Sequence, residues 1–114
     1  MQAPLEITFR DIAASPTAEA FVERWADRLE RTYDRIEHCA VMIEIPHRSH
    51  HQGQKFHVRI ELRVPDNFIV VSRDRSIDPA HEDVRVAIAD AFLAARRRLQ
   101  DHARIQRGDV KHHA

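Results

Sequence analysis

Arginines recur along one stretch of this chain at a spacing that suits contact with phosphate groups. Residues three or four positions apart share a flank of a helix, and four arginines have that spacing: Arg24, Arg28, Arg31 and Arg35. The acidic residues between positions 19 and 34 fall on the back of the same helix. Like charges four residues apart cost roughly a few tenths of a kcal/mol, which phosphate binding would explain. Because a charge stripe is also commonly a solvated face, both interpretations stay open.

A second arginine group lies near the C-terminal end of the chain: Arg96, Arg97, Arg98 and Arg104. Consecutive residues of a helix point in different directions, so only part of this group can meet one partner surface. The two groups can act together only if their segments lie side by side, which periodicity alone does not show.

Histidines and the single cysteine are the other reactive side chains. The segment HRSHHQGQ carries His47, His50 and His51, with His57 nearby. Imidazole binds zinc, nickel or copper, but no cysteine or acid joins these histidines at a recognised spacing. We therefore predict no metal site and no cofactor, and a pH-sensitive basic patch is an equally open interpretation. Cys39 begins an apolar run and is expected to pack, so we predict no catalytic residue.

The first arginine group belongs to a predicted helix from Ser15 to Ile36. Ser15 can cap free backbone N–H groups, and the proline that follows it fits the first helical position. Apolar side chains line one face, with Trp25 taken as its centre: Phe21, Val22, Trp25, Leu29 and Tyr33. We expect Trp25 and Tyr33 to belong to the core instead of stacking on RNA bases.

Four strands and a second helix complete the pattern. Alternating or β-branched apolar runs predict strands over residues 5–9, 38–45, 55–64 and 68–72, with a tight turn at 65–67. An apolar stripe predicts a helix that opens near Asp78-Pro79 and reaches about Arg104. The order β-α-β-β-β-α predicts an α+β fold, a four-stranded mixed sheet with both helices on one face. The first two strands would be parallel and joined by a right-handed crossover.

Length and composition limit the classes of protein. At 114 residues the chain suits a single domain, predicted over residues 1–106, with a flexible tail at 107–114. Lys+Arg and Asp+Glu both number 18, so no strong global field attracts nucleic acid or membrane. One cysteine excludes an internal disulfide and fits a reducing compartment. Without a signal pattern or an apolar run of about 20 residues, we expect a cytoplasmic protein with no membrane association.

Four segments, in order, resemble the family of ribosome hibernation factors. They are LEITFRDI, FVERWADRLERTYDRI with its closing Tyr33-Asp34-Arg35-Ile36, FHVRIELRV and EDVRVAIADAFLAARRRLQDH. The family includes the hibernation-promoting factor, the ribosome-associated inhibitor A and the sigma-54 modulation or S30EA proteins. It binds the small ribosomal subunit where messenger and transfer RNA sit. The resemblance implies a non-enzymatic translation inhibitor that contacts ribosomal RNA, with the arginines of both groups as the candidate RNA-binding residues.

Our leading hypothesis is therefore a ribosome-associated translation inhibitor that binds the small subunit through basic helix faces. The alternative is a divergent α+β module that has lost ribosome binding and serves protein interaction or stress response. That module could form a homodimer through its open sheet face or an edge strand, and the neutral net charge favours it. A third possibility is a small metalloprotein that uses the His47–His51 loop.

Overall fold

The strands form where apolar and polar side chains alternate, because that period buries one face of a sheet. The structure, a computed structural model, describes residues 1–45, 55–76 and 84–108. The elements follow in the predicted order: β1 Leu5–Arg10, α1 Pro16–Thr32, β2 His38–Glu44, β3 Lys55–Val64, β4 Asn67–Ser76 and α2 Val84–Gln106. The predicted α+β class is confirmed.

The four strands pair in sequence order, β1-β2-β3-β4. β1 and β2 are parallel, with Leu5 opposite Cys39, because α1 connects them as a crossover. β2 and β3 are antiparallel, and so are β3 and β4. The sheet is therefore mixed, as the sequence predicted.

Both helices cover the same face of the sheet. Buried side chains alternate along the strands with outward-facing ones, so that Leu62 is fully buried while the next residue, Arg63, is exposed. α2 lies over β3 and β4. Much of the helix surface that packs inward is alanine, and small side chains let a helix approach a sheet closely: Ala18, Ala26, Ala87, Ala91, Ala94 and Ala95.

The face that α1 buries is rotated away from the one that the sequence predicted. Its fully buried residues are Ala18, Val22, Ala26 and Leu29, whereas Phe21 and Trp25 are only half-buried. Trp25 was expected at the centre of the buried face and lies at its margin instead. The small Ala18 and Ala26 occupy the buried face of α1, which packs closely against α2, and the larger Trp25 ring lies at the margin of that face against Phe92.

α1 also ends earlier than predicted, at Thr32 instead of Ile36. Tyr33 adopts an extended conformation with φ −150° and ψ 114°, although its backbone N–H still donates to the Leu29 carbonyl. Leaving the helix here buries the Tyr33 ring, and its hydroxyl donates to Gln106 Oε1 at 2.6 Å. The expectation that Tyr33 belongs to the core is confirmed, and its hydrogen bond ties the end of α1 to the end of α2.

The β3–β4 hairpin is longer than the sequence indicated. The apolar run predicted a strand over residues 68–72, but β4 extends to Ser76, which pairs with Lys55. Antiparallel pairing continues for the full length of β3 because backbone hydrogen bonds do not require apolar side chains. Asp66 completes the turn with φ 64°, a left-handed conformation that aspartate tolerates. The predicted opening of α2 near Asp78-Pro79, the HRSHHQGQ loop and most of the predicted tail lie outside the described residues.

The cap at the start of α1 yields a stability prediction. Ser15 Oγ accepts a hydrogen bond from the Ala18 backbone N–H at 3.2 Å. Ser15→Ala leaves that group without its partner and should lower the free energy of unfolding by about 1 kcal/mol in urea titrations. Thr17→Ala is the matched control, because Thr17 is exposed within the helix and should change stability by less than about 0.5 kcal/mol. Equal losses in both variants would contradict the capping role.

Candidate nucleic-acid interface

A groove lies between α1 and α2 on the helical side of the protein. Its cavity of about 360 Å³ has an apolar floor in which the partly exposed Trp25 lies over the buried Leu29 and Phe92. The Trp25 and Phe92 rings stack with their centroids 6.0 Å apart and their planes 16° from parallel. The remaining lining residues are Arg28, Arg31, Thr32 and Arg96. We call this cavity the interhelical groove.

The arginines of the interhelical groove come from both helices. Within residues 1–45, 55–76 and 84–108, no carboxylate lies within ion-pairing distance of Arg28, Arg31 or Arg96. Arg28 instead places its guanidinium over the Trp25 ring, 5.1 Å from the centroid. A cation–π contact of this kind orders the side chain but does not neutralise its charge. The groove therefore concentrates positive charge that the described residues leave uncompensated.

The positive surface continues beyond the apolar floor. A second cavity of about 700 Å³ shares Arg31, Thr32 and Arg96 with the interhelical groove and extends along α2. Arg97, Arg104 and Arg107 line this extension, where Arg104 forms an ion pair with Asp101. The two cavities form one arginine-lined path along the helices.

The structure brings together some of the predicted arginines and separates the others. Arg28, Arg31, Arg96, Arg97 and Arg104 line the path. Arg98 is turned away from α1, because its guanidinium donates to the Val70 carbonyl of β4 at 3.4 Å.

Two arginines of the first group also lie outside the path. Arg24 lies over the Phe21 ring, 5.6 Å from its centroid. Arg35 lies beyond the end of α1, in the turn before β2. The separation follows from the early end of α1 at Thr32 and from the different directions of consecutive residues on α2.

The acidic side of α1 contacts the N-terminal residues. Glu30 accepts hydrogen bonds from the backbone N–H groups of Gln2 at 3.0 Å and Ala3 at 3.2 Å. Asp27 pairs with the Met1 ammonium group. These residues precede β1 at one edge of the sheet, while α2 lies over β3 and β4 toward the other edge. The acids therefore face away from the arginine-lined path.

The opposite, open face of the sheet carries paired charges. Arg10 lies 3.7 Å from Glu44, and Arg59 lies 3.4 Å from Glu61. His57 Nδ1 lies 2.6 Å from Asp74, and its Nε2 is within hydrogen-bond distance of the Ser72 hydroxyl. Mixed, mutually compensated charge suits a polyanion less well than the interhelical groove does.

Cys39 is fully buried, which confirms that it packs in the core. Burial raises the pKa of its thiol to about 12, so the nucleophilic thiolate is scarce. In the described part of the chain, no three histidine, cysteine or acidic side chains are grouped as a metal site would require. His47, His50 and His51 lie outside that part. None of the described helices is long and apolar enough to cross a bilayer.

Residues 5–107 match the sequence profile of the Sigma 54 modulation protein / S30EA ribosomal protein family, and the chain belongs to that family. This membership indicates a ribosome-associated modulation factor. No curated protein matches the chain.

Solved structures share the fold. One is a ribosomal subunit interface protein from Coxiella burnetii, with a TM-score of 0.70, 14% identity and coverage of 88% of this chain and 97% of that chain. Another is the N-terminal domain of Protein Y from Thermus thermophilus, with a TM-score of 0.66, 16% identity and coverage of 85% and 94%. At such identities the likeness shows the architecture alone.

The burial of Cys39 predicts that the native thiol is inert. With a pKa of about 12, roughly one thiol in ten thousand is ionised at pH 8, against about one in four for an exposed cysteine. A disulfide reagent followed by absorbance should leave the folded protein unlabelled over minutes and label it fully after denaturation. Rapid labelling of the folded protein would contradict the burial of Cys39.

Proposed function

We propose that this protein binds the small ribosomal subunit and inhibits translation, with its interhelical groove against backbone phosphates of ribosomal RNA. The supporting observation is that Arg28, Arg31 and Arg96, from two helices, line one groove without a carboxylate partner among the described residues. Guanidinium groups with free donors bind phosphate oxygens through two parallel hydrogen bonds. Because the chain belongs to a ribosomal protein family, ribosomal RNA is the phosphate-bearing partner that we infer.

Zero net charge is compatible with this proposal because the charges are sorted by surface. Asp27 and Glu30 on the back of α1 contact the N-terminal residues, and the open sheet face carries the ion pairs Arg10–Glu44 and Arg59–Glu61. A local positive path attracts phosphates within about a Debye length, roughly 8–10 Å at physiological salt. Binding is therefore expected to depend on this path and not on the charge of the whole protein.

Arginines that contact phosphates recognise the shape and charge of RNA more than its base sequence. Both cavities run along two helices that pack on each other, so the backbone positions from which the arginines extend are set by the fold. A surface of this kind fits a folded ribosomal RNA of defined shape and predicts little discrimination among sequences with the same backbone geometry.

The alternative function, a protein-interaction module that does not bind ribosomes, would use the open sheet face. Phe68 on β4 is 53% exposed on this face, beside Arg63 in the strand register. An exposed aromatic side chain among paired charges suits a protein partner or a second copy of the chain. The homodimer and this module remain predictions, and the experiment below separates them from RNA binding.

Two matched double variants test the proposed surface. Arg31→Gln with Arg96→Gln removes two charges from the groove, and Arg10→Gln with Arg63→Gln removes two charges from the open sheet face. Co-sedimentation with purified small ribosomal subunits should show salt-sensitive binding of the unmodified protein. The groove variant should weaken binding about tenfold or more, because each lost contact to phosphate is charge-assisted. It should also lower the slope of log affinity against log salt by about 2.

The sheet-face variant should bind like the unmodified protein. Circular dichroism checks that both variants remain folded. Absence of binding by the unmodified protein at micromolar concentration and low salt would contradict the proposal. That absence of binding would favour the alternative module, whereas a larger loss in the sheet-face variant would assign the ribosome contact to the open sheet face and contradict the role of the groove.

A further inference from the structure

The interhelical groove contains more than a phosphate-binding surface needs. Phe92 is fully buried, Trp25 is half-buried against it, and exposed Arg28 lies over the Trp25 ring. The Trp25 ring therefore contacts a buried aromatic ring on α2 and the planar guanidinium of an exposed arginine on its own helix. Phosphate contact alone requires neither an aromatic floor nor a cavity of about 360 Å³.

We propose that the interhelical groove holds one unpaired nucleotide of a single RNA strand, with its base stacked beside the Arg28 guanidinium and the partly exposed Trp25 ring. This proposal rests on the proposed function in one respect, namely that the interhelical groove contacts RNA. It adds that the groove takes a base, which distinguishes a single strand from a duplex.

The chemistry of the lining residues supports this occupant. Arginine planes and aromatic faces are the groups on which proteins stack splayed-out bases. The cavity volume falls within the range of about 300–1,000 Å³ that is usual for small-molecule sites. Thr32 also lines the cavity, and its hydroxyl, which donates to the Arg28 carbonyl, keeps lone pairs that can accept from a base edge or a ribose. A base within a duplex is already stacked and paired, so it cannot enter.

The charge around the cavity indicates a strand and not a free mononucleotide. Arg31 and Arg96 stand beside the apolar floor, at the junction with the larger cavity that continues to Arg97 and Arg104. One nucleotide would occupy the interhelical groove and leave the rest of the arginine-lined path empty. The next phosphates of a strand would occupy that path, and each contact would add to the affinity and to its salt dependence.

Trp25 provides the measurement because it is the only tryptophan in the chain. The probes are a single-stranded pentaribonucleotide, the same oligomer with an abasic residue at its centre, a duplex of that sequence, and adenosine monophosphate. The pentaribonucleotide should quench the Trp25 emission. The abasic oligomer, which keeps every phosphate, should bind about 5- to 150-fold more weakly, the range for loss of one stacked base. The duplex and the mononucleotide should also bind more weakly than the single strand.

Arg28→Lys tests the stack itself, since lysine keeps the charge and removes the plane. It should weaken binding of the intact pentaribonucleotide more than binding of the abasic oligomer, so that the difference between the two probes shrinks. Arg63→Lys on the open sheet face is the matched control and should preserve the difference.

Equal binding of the intact and abasic oligomers by the unmodified protein would overturn the inference. Mononucleotide binding as tight as that of the pentaribonucleotide would overturn the choice of a strand. Neither result bears on the proposed function, which is tested separately by co-sedimentation with small ribosomal subunits and by the two double variants.

Discussion

The contact between Trp25 and Phe92 is the interaction on which the arrangement of the arginines depends. Phe92 of α2 is fully buried in the core. The Trp25 ring of α1 stacks against the Phe92 ring with their centroids 6.0 Å apart. Aromatic pairs of this geometry contribute about 0.5–1.5 kcal/mol beyond their buried area. The contact also joins α1 to α2 at the groove itself. Arg28 and Arg31 on one helix and Arg96 on the other line one groove because the two helices pack together here.

Charge is distributed so that a neutral chain presents one strongly positive surface. The acids of α1 hydrogen-bond to backbone groups of the N-terminal residues, as Glu30 does with Gln2 and Ala3. The charges of the open sheet face compensate one another across neighbouring strands, as Arg10 and Glu44 do. The interhelical groove carries arginines without such partners in the described part of the chain. Composition reports only the sum of these contributions, which is why it favoured a module without an RNA partner.

The sequence predicted the four-stranded mixed sheet and both helices, because residue period determines which face is buried. Period does not say how one helix is rotated against another. That rotation depends on the alanines, which turned Trp25 from the centre of the buried face of α1 to its margin. It also depends on Tyr33, whose burial ended the helix early and left Arg35 beyond it. The sequence predicted that consecutive arginines on α2 cannot all lie on one surface. Which of them turns away depends on packing, and the structure shows that Arg98 turns toward β4.

The proposed function depends on the interhelical groove, where exposed arginines lie beside a partly exposed aromatic side chain. A structure of the protein bound to the small ribosomal subunit by cryo-electron microscopy tests this most directly. The account predicts that the guanidinium groups of Arg31 and Arg96 lie within about 4 Å of ribosomal RNA phosphates. It also predicts that the open sheet face points away from them. A complex in which the sheet face meets the RNA and the interhelical groove faces solvent would contradict it.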